Sequence, residues 1–198
     1  MKLILFSGFL GAGKTSCIRS FSNYLYEEQH EGIKLAVIEN EVAGIGVDDQ
    51  FLSQTGLEVR TLSAGCICCT LTADLITTLR QLKQDFHPDY VIFEPSGIAY
   101  PKRILENLTA YSTDIDRHIQ ITVVDAQRWH KIQRVAPELL AGQVRTADAL
   151  LLNKCDLTDG AQLEAVTQEL RVLNPTANIW KINGARGIAS VIWEDILT

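Results

Sequence analysis

The residues Gly8-Phe9-Leu10-Gly11-Ala12-Gly13-Lys14-Thr15 fit the pattern GxxxxGK[ST] without a mismatch, and their types suit a polyphosphate. Glycines at 8, 11 and 13 let backbone N–H groups curl round phosphate oxygens. A helix opening at Lys14 adds the partial positive charge of its N-terminus. The Lys14 ammonium is expected at the β- and γ-phosphates, and the Thr15 hydroxyl on Mg²⁺. Gly8, Gly11, Ala12, Gly13, Lys14, Thr15 and Ser16 are thus the expected phosphate contacts. The plain alternative is a glycine turn that only joins a strand to a helix.

Two further clusters suit the same ligand. Glu94-Pro95-Ser96-Gly97 ends an apolar run. A carboxylate there can contact Mg²⁺ or its water, and the Gly97 N–H can meet the γ-phosphate and so sense hydrolysis. The alternative is a strand that ends in a Pro-Gly turn. Asn153-Lys154-Cys155-Asp156 also follows an apolar run. A carboxylate at Asp156 can accept from guanine N1–H and the N2 amine. Adenine offers it only a lone pair at N1. Hydrogen bonds to charged groups are worth about 1.5–3 kcal/mol each, so two of them favour GTP over ATP by roughly 10²–10⁴-fold. Asn153 is expected to support the base edge, and the Lys154 stem to lie on its face. Asn183, after the last apolar run, is a weaker candidate for a base contact.

These loops need strands to carry them. Nearly continuous apolar runs at Leu3–Phe6, Leu35–Ile38, Tyr90–Phe93, Ile119–Val124, Ala149–Leu152 and Asn178–Ile182 read as strands covered on both faces. Helical patterns follow at Lys14–Glu28, Thr72–Gln84, Pro101–Leu108, Pro137–Thr146, Ala161–Leu173 and Ile188–Leu197. The alternation predicts an α/β fold of the P-loop NTPase type, a mostly parallel sheet with helices on both faces. A short strand near Glu58–Leu62 is expected at an edge. No repeat, low-complexity tract or linker is visible, so residues 1–198 read as one domain.

Of 198 residues, 46% are hydrophobic and 21% charged, which is globular composition. A net charge of −6 gives nucleic acid and anionic membrane no broad electrostatic attraction. No stretch is long and apolar enough to span a bilayer. The opening Met-Lys-Leu-Ile-Leu-Phe resembles a signal peptide but runs directly into the glycine loop, so it reads as a first buried strand.

Cys66, Cys68 and Cys69 cluster within four positions, while Cys17 and Cys155 stand apart. An odd count of five is not a disulfide framework, and it points to a reducing, cytoplasmic setting. Thiolates suit Zn²⁺ and other soft or borderline ions. One chain offers three clustered thiols where a closed zinc site takes four ligands. Two thiols with a mobile ligand, or thiols from two subunits, fit better, and an incomplete site suits transfer. Buried structural cysteines are the alternative; that reading is applied to Cys17 and Cys155. Glu39 is either a metal-side acid or a solvated strand end. His30, His87, His118 and His130 are each isolated and read as surface or satisfied residues. Trp129, Trp180 and Trp193 read as packing.

Together GFLGAGKT, Ile38-Glu39-Asn40-Glu41, Gly65-Cys66-Ile67-Cys68-Cys69, Glu94-Pro95-Ser96-Gly97 and NKCD resemble the CobW family of GTPases. That family belongs with the urease and hydrogenase nickel-insertion GTPases and the chaperone GTPase of methylmalonyl-CoA mutase. The resemblance covers nearly the whole chain in motif order. It implies a GTP-hydrolysing, metal-handling or corrinoid-handling chaperone whose CxCC binds a transition metal (Zn²⁺, Ni²⁺ or Co²⁺). It also implies coupling of GTP and metal binding, a client metalloprotein or cofactor enzyme, and a nucleotide-dependent homodimer. A regulatory GTPase switch with structural cysteines is the competing function. A small-molecule kinase is disfavoured by NKCD. Three departures stand out. The chain ends after the GTPase unit, where many relatives continue into a second domain. Gly44 stands where an acid is usual, and Pro95 where a small or polar residue is usual. Substituting Asp156→Asn is expected to shift preference from guanine to xanthine nucleotides, because the amide can donate to the extra carbonyl. Titration of the variant with GTP and XTP checks this; an unchanged preference for GTP would place base recognition elsewhere.

Overall fold

A computed structural model describes residues 1–28, 32–39, 58–63, 71–111 and 115–198. The strands are β1 (Lys2–Ser7), β2 (Lys34–Glu39), β3 (Glu58–Ser63), β4 (Tyr90–Glu94), β5 (Arg117–Asp125), β6 (Ala149–Asn153) and β7 (Asn178–Lys181). The helices are α1 (Lys14–Glu28), α2 (Leu71–Asp85), α3 (Pro101–Tyr111), α4 (Trp129–Val135), α5 (Pro137–Arg145), α6 (Gly160–Leu173) and α7 (Ser190–Leu197). The seven strands form one sheet in the order β3-β2-β4-β1-β5-β6-β7, and every pairing is parallel.

Period-two alternation sorts the apolar side chains onto the two faces. In β1, Ile4 and Phe6 pack toward α1 and α7, while Leu3 and Leu5 pack toward α2 and α3. In β6, Ala149 and Leu151 join the first face, and Leu150 and Leu152 pack against α4, α5 and α6. This is why β6, with all five residues buried, shows no polar alternation. On α1 the buried stripe is Cys17, Ile18, Phe21, Tyr24 and Leu25, the helical spacing that faces a sheet. No helix among the described residues is long and apolar enough to cross a membrane.

Glu58–Ser63 does form an edge strand, in register with β2. Helix α4 has no counterpart in the sequence pattern. Its seven residues are too short to show a period, and its place depends on long-range contacts. Trp129 is fully buried, and its Nε1 donates to Glu169 of α6 at 2.7 Å. The same carboxylate takes His130 at 3.0 Å and Gln133 at 3.1 Å, and these bonds outweigh burial to hold its carboxyl below the usual range.

Phe21 is the hub of the α1 face, with ring centroids 5.2 Å from Trp193, 6.1 Å from Tyr90, 6.2 Å from Phe6 and 6.3 Å from Tyr24. Phe21→Ala removes these contacts and opens a cavity that four other rings cannot fill, so it is expected to destabilise the domain by about 3–5 kcal/mol. Urea denaturation followed by tryptophan fluorescence measures this. A loss below about 1 kcal/mol would mean that the face repacks.

Candidate functional site

Strand order puts β1 at the centre, so the loop that leaves it lies between the ends of β4 and β5. Ligands of open parallel sheets bind at such a crevice, outside the carboxyl ends of the strands. Here those ends carry polar side chains. Glu39 of β2 lies in register with Glu94 of β4 and with Ser63 of β3. Ser7 of β1 lies beside Thr122, and Asp125 of β5 beside Asn153 of β6.

In the glycine loop, each carbonyl from residue 8 to residue 13 accepts a hydrogen bond. Gly8 O takes Lys14 Nζ at 3.2 Å and Phe9 O takes the Ala12 N–H at 3.0 Å. Leu10 O takes Arg128 Nη2 at 2.7 Å, Gly11 O takes Lys154 Nζ at 2.7 Å, and Ala12 O takes Asn153 Nδ2 at 2.9 Å. Gly13 O takes the Cys17 N–H at 3.1 Å. With the Leu10, Gly11 and Ala12 carbonyls held outward by side chains from elsewhere, the first N–H groups of α1, which have no intrahelical acceptor, are left for the crevice. Gly13 has φ +101°, and a Cβ there would stand 2.3 Å from Asn153 Nδ2, so only glycine fits.

Buried Lys14 reaches across the loop, its Nζ 3.5 Å from Glu94 Oε1. Thr15 and Ser16 are half-buried on the first turn of α1. The turn after β4 presses on the loop so closely that a Cβ on Gly97 would sit 2.7 Å from Leu10 N. Gln143, fully buried on α5, holds this turn by donating from Nε2 to Gly97 O at 3.0 Å and Ala99 O at 3.2 Å. The Gln143 backbone carbonyl accepts from Thr122 Oγ1 at 3.0 Å, and Thr122 in turn meets Ser7 Oγ at 2.7 Å.

Asn153 is buried, and its contacts show a structural task beside the expected base-edge one. Besides Ala12 O, its Oδ1 accepts the N–H groups of Lys154 and Gly184, each at 2.8 Å. It ties the glycine loop to the loops after β6 and β7, which is a task that the four-residue motif does not reveal. Lys154 sits in the left-handed region with φ 63° and sends its ammonium back to Gly11 O and to Asp125 Oδ2, the latter at 2.7 Å. The ammonium therefore braces the phosphate loop. Asp156 is exposed on the short 3₁₀ turn Cys155–Leu157. Asn183 caps a second 3₁₀ turn, its Oδ1 accepting the Ala185 N–H at 3.2 Å.

Asp125, Arg128 and Gln143 belong to no motif, yet Arg128 contacts the loop, Gln143 the turn beside it, and Asp125 both cations that bind the loop. Buried Asp125 bonds Lys154 Nζ and Arg128 Nε, both at 2.7 Å, and the Arg128 N–H at 3.0 Å. Burial pushes its carboxyl up, but these bonds outweigh burial and hold it below the usual carboxylate range. The available signal was an acid that ends the run Ile119–Val124, at the same place as Glu39 and Glu94 on their strands.

Cys66, Cys68, Cys69 and Glu41 lie outside the described residues. Among the described residues no group of three histidines, cysteines or acids is placed to hold a metal ion. Glu39 is buried beside Glu94. Cys155 is half-buried with its thiol on Leu152 O at 3.0 Å, and burial raises its pKa. Cys17 is packed in the core, where burial, helped by the charge of Glu94, pushes its thiol up to about 12.

A parallel sheet whose central strand ends in a glycine loop, with a lysine across that loop and an acid beyond it, defines a P-loop nucleotide-binding domain. The nucleotide-binding domain profile of the CobW/HypB/UreG family matches residues 2–181, and the chain belongs to that family. It is 34% identical to the zinc chaperone YjiA of Escherichia coli over 187 residues, covering 90% of this chain and 56% of that protein. It is 30% identical to the zinc-regulated GTPase metalloprotein activator 1 of Dictyostelium discoideum, covering 87% of this chain and 44% of that protein. The chain thus spans about half the length of these curated relatives. The crystal structure of Zn(II)-bound YjiA GTPase from E. coli superposes with a TM-score of 0.62 at 29% identity, over 92% of this chain and 57% of that one. The hydrogenase maturation factor HypB of Archaeoglobus fulgidus shares the fold, with a TM-score of 0.69 at 19% identity over 100% of this chain and 88% of that one.

A thiol with a pKa near 12 stays protonated at neutral and mildly alkaline pH, so Cys17 is expected to resist alkylation in the folded protein. Iodoacetamide treatment at pH 8 followed by peptide mass spectrometry, with and without guanidinium chloride, checks this. Alkylation of Cys17 in the native protein at the rate of an exposed thiol would remove it from the core.

Proposed function

We propose that this chain is a GTP-hydrolysing metallochaperone domain, which couples its nucleotide state to delivery of a transition metal to a client metalloprotein. The observation that carries the proposal is the joining of two chemistries in one crevice. Asn153 and Lys154 bind the loop that bears Asp156 directly to the phosphate loop, so guanine and phosphate would be read by one rigid unit.

The residues fit a Mg²⁺-nucleotide. Gly13 leaves no room for a side chain, α1 presents its N-terminal N–H groups, and Lys14 supplies a buried cation. Thr15 and Glu94 offer the hard oxygen donors that Mg²⁺ prefers. When bound, Mg²⁺ would neutralise charge on the β- and γ-phosphates. Gly8, Gly11, Ala12 and Ser16 would complete the phosphate site, with Asp156 and Asn183 at the base. Gly97, pressed against Leu10, would feel the loss of the γ-phosphate.

For the metal, the support is the family and the thiols. The relatives are named as zinc chaperones and a zinc-regulated GTPase, and zinc is the cargo proposed for Cys66, Cys68 and Cys69, with Glu39 as a possible further ligand. In the chain the cluster falls between Ser63, beside Glu39, and the start of α2 at Leu71. A nucleotide-dependent homodimer would supply the thiols that one chain lacks, in a reducing cytoplasm.

Metal and nucleotide binding should be coupled, and coupling between two ligands is reciprocal. A coupling of about 1–3 kcal/mol appears as a roughly 5–150-fold change in affinity. Zn²⁺ affinity is expected to differ by such a factor between the GDP state and the state with a non-hydrolysable GTP analogue. Cys66→Ser and Cys68→Ser should lose most Zn²⁺ affinity and keep nucleotide binding. Competition titration with a zinc chelator measures both. Zn²⁺ affinity that ignores nucleotide would return the cysteines to a structural role.

A further inference from the structure

Arg128 is the one cation at the glycine loop that no motif accounts for among the described residues. Its guanidinium is anchored through Nε on Asp125 and donates through Nη2 to Leu10 O, both at 2.7 Å. It also lies over Gly11, where a Cβ would stand 3.0 Å from Nη2 and 3.5 Å from Nη1. Lys154 makes the parallel contact one residue on, from the same Asp125 oxygen to Gly11 O.

Two features go beyond bracing. First, charge does not balance: one buried carboxylate holds two cations, so the outer side of the loop carries a net positive charge. Lys154 alone would have neutralised Asp125. Secondly, the carbonyl that Arg128 binds and the N–H of Gly11 belong to one peptide group. A cation on the oxygen of a peptide polarises it and strengthens its N–H as a donor. That N–H leaves the loop on the opposite side from the carbonyl, toward the crevice.

We propose that Arg128, oriented by Asp125, is a positioning residue for phosphoryl transfer. It fixes and polarises the Leu10–Gly11 peptide so that the Gly11 N–H stabilises charge as it builds on the phosphate oxygens. The guanidinium acts from outside the nest and needs no contact with the nucleotide. A guanidinium brings a full positive charge, whereas a neutral donor in its place would hold the peptide without polarising it. The proposal rests on the GTPase reading above.

The test compares Arg128→Gln and Arg128→Lys with the wild type. Three readouts are needed: single-turnover GTP hydrolysis, affinity for a fluorescent GDP, and affinity for GDP with aluminium fluoride as a transition-state analogue. Arg128→Gln is expected to slow hydrolysis by roughly 10–100-fold, at or below the loss of a direct donor. It should weaken the aluminium fluoride complex by a similar factor and change GDP affinity less than about threefold. Arg128→Lys should recover part of the rate. Equal losses in GDP affinity and rate, or a lowered thermal midpoint with the rate intact, would make Arg128 a structural brace and overturn the proposal alone. A wild type that binds GDP yet neither hydrolyses GTP nor binds aluminium fluoride would overturn the GTPase reading together with it.

Discussion

Three successive carbonyl oxygens, those of Leu10, Gly11 and Ala12, must all point away from the crevice for the phosphate loop to exist. Each is held there by a side chain from a distant part of the chain: Arg128, Lys154 and Asn153. A peptide group has two ends, so holding the oxygens outward turns N–H groups inward. A short glycine-rich segment would not keep such a shape by itself, because glycine loses the most conformational freedom on ordering. The loop is therefore imposed by its surroundings, and the glycines only permit it.

That constraint explains why polar groups are buried where they are. Asp125 sits at the end of a strand with no access to water, and isolating such a charge would cost several kcal/mol. Two cations and a backbone N–H satisfy it, and the two cations then carry its influence to the loop. Asn153 plays the corresponding part between three loops, with its carbonyl oxygen accepting two N–H groups. Breaking one member would leave the others buried without partners, which makes the group cooperative.

On the other side of β1, Gln143 and the Ser7–Thr122 pair hold the turn that follows Glu94. The Gly97 turn is thus gripped between the glycine loop and α5. Gln143 joins that turn directly to α5. Glu39 and Glu94, in register on neighbouring strands, stand at the edge of the crevice nearest β3. Ser63, the last residue of β3, stands beside Glu39 at this same end of the sheet.

The sequence by itself determined the strand–helix alternation, because runs such as Ala149–Leu152 are apolar at every position and can only be buried on both faces. It also determined the phosphate loop and the Asp156 motif, whose chemistry is local and sits within eight and four consecutive residues. Tertiary structure decided the rest. Strand order, which sets Glu94 and Asp125 on either side of β1, depends on crossovers that no local pattern encodes. Helix α4 exists because Trp129 finds a cavity and Glu169 a donor, and seven residues carry no period. Asn153 reads locally as a base contact, and only packing shows that its amide also ties Ala12, Lys154 and Gly184 together. Arg128 is an ordinary arginine in sequence. Only the approach of residues 118 positions apart, Leu10 and Arg128, gives it a peptide to hold, and such long-range pairings arise from packing rather than from spacing.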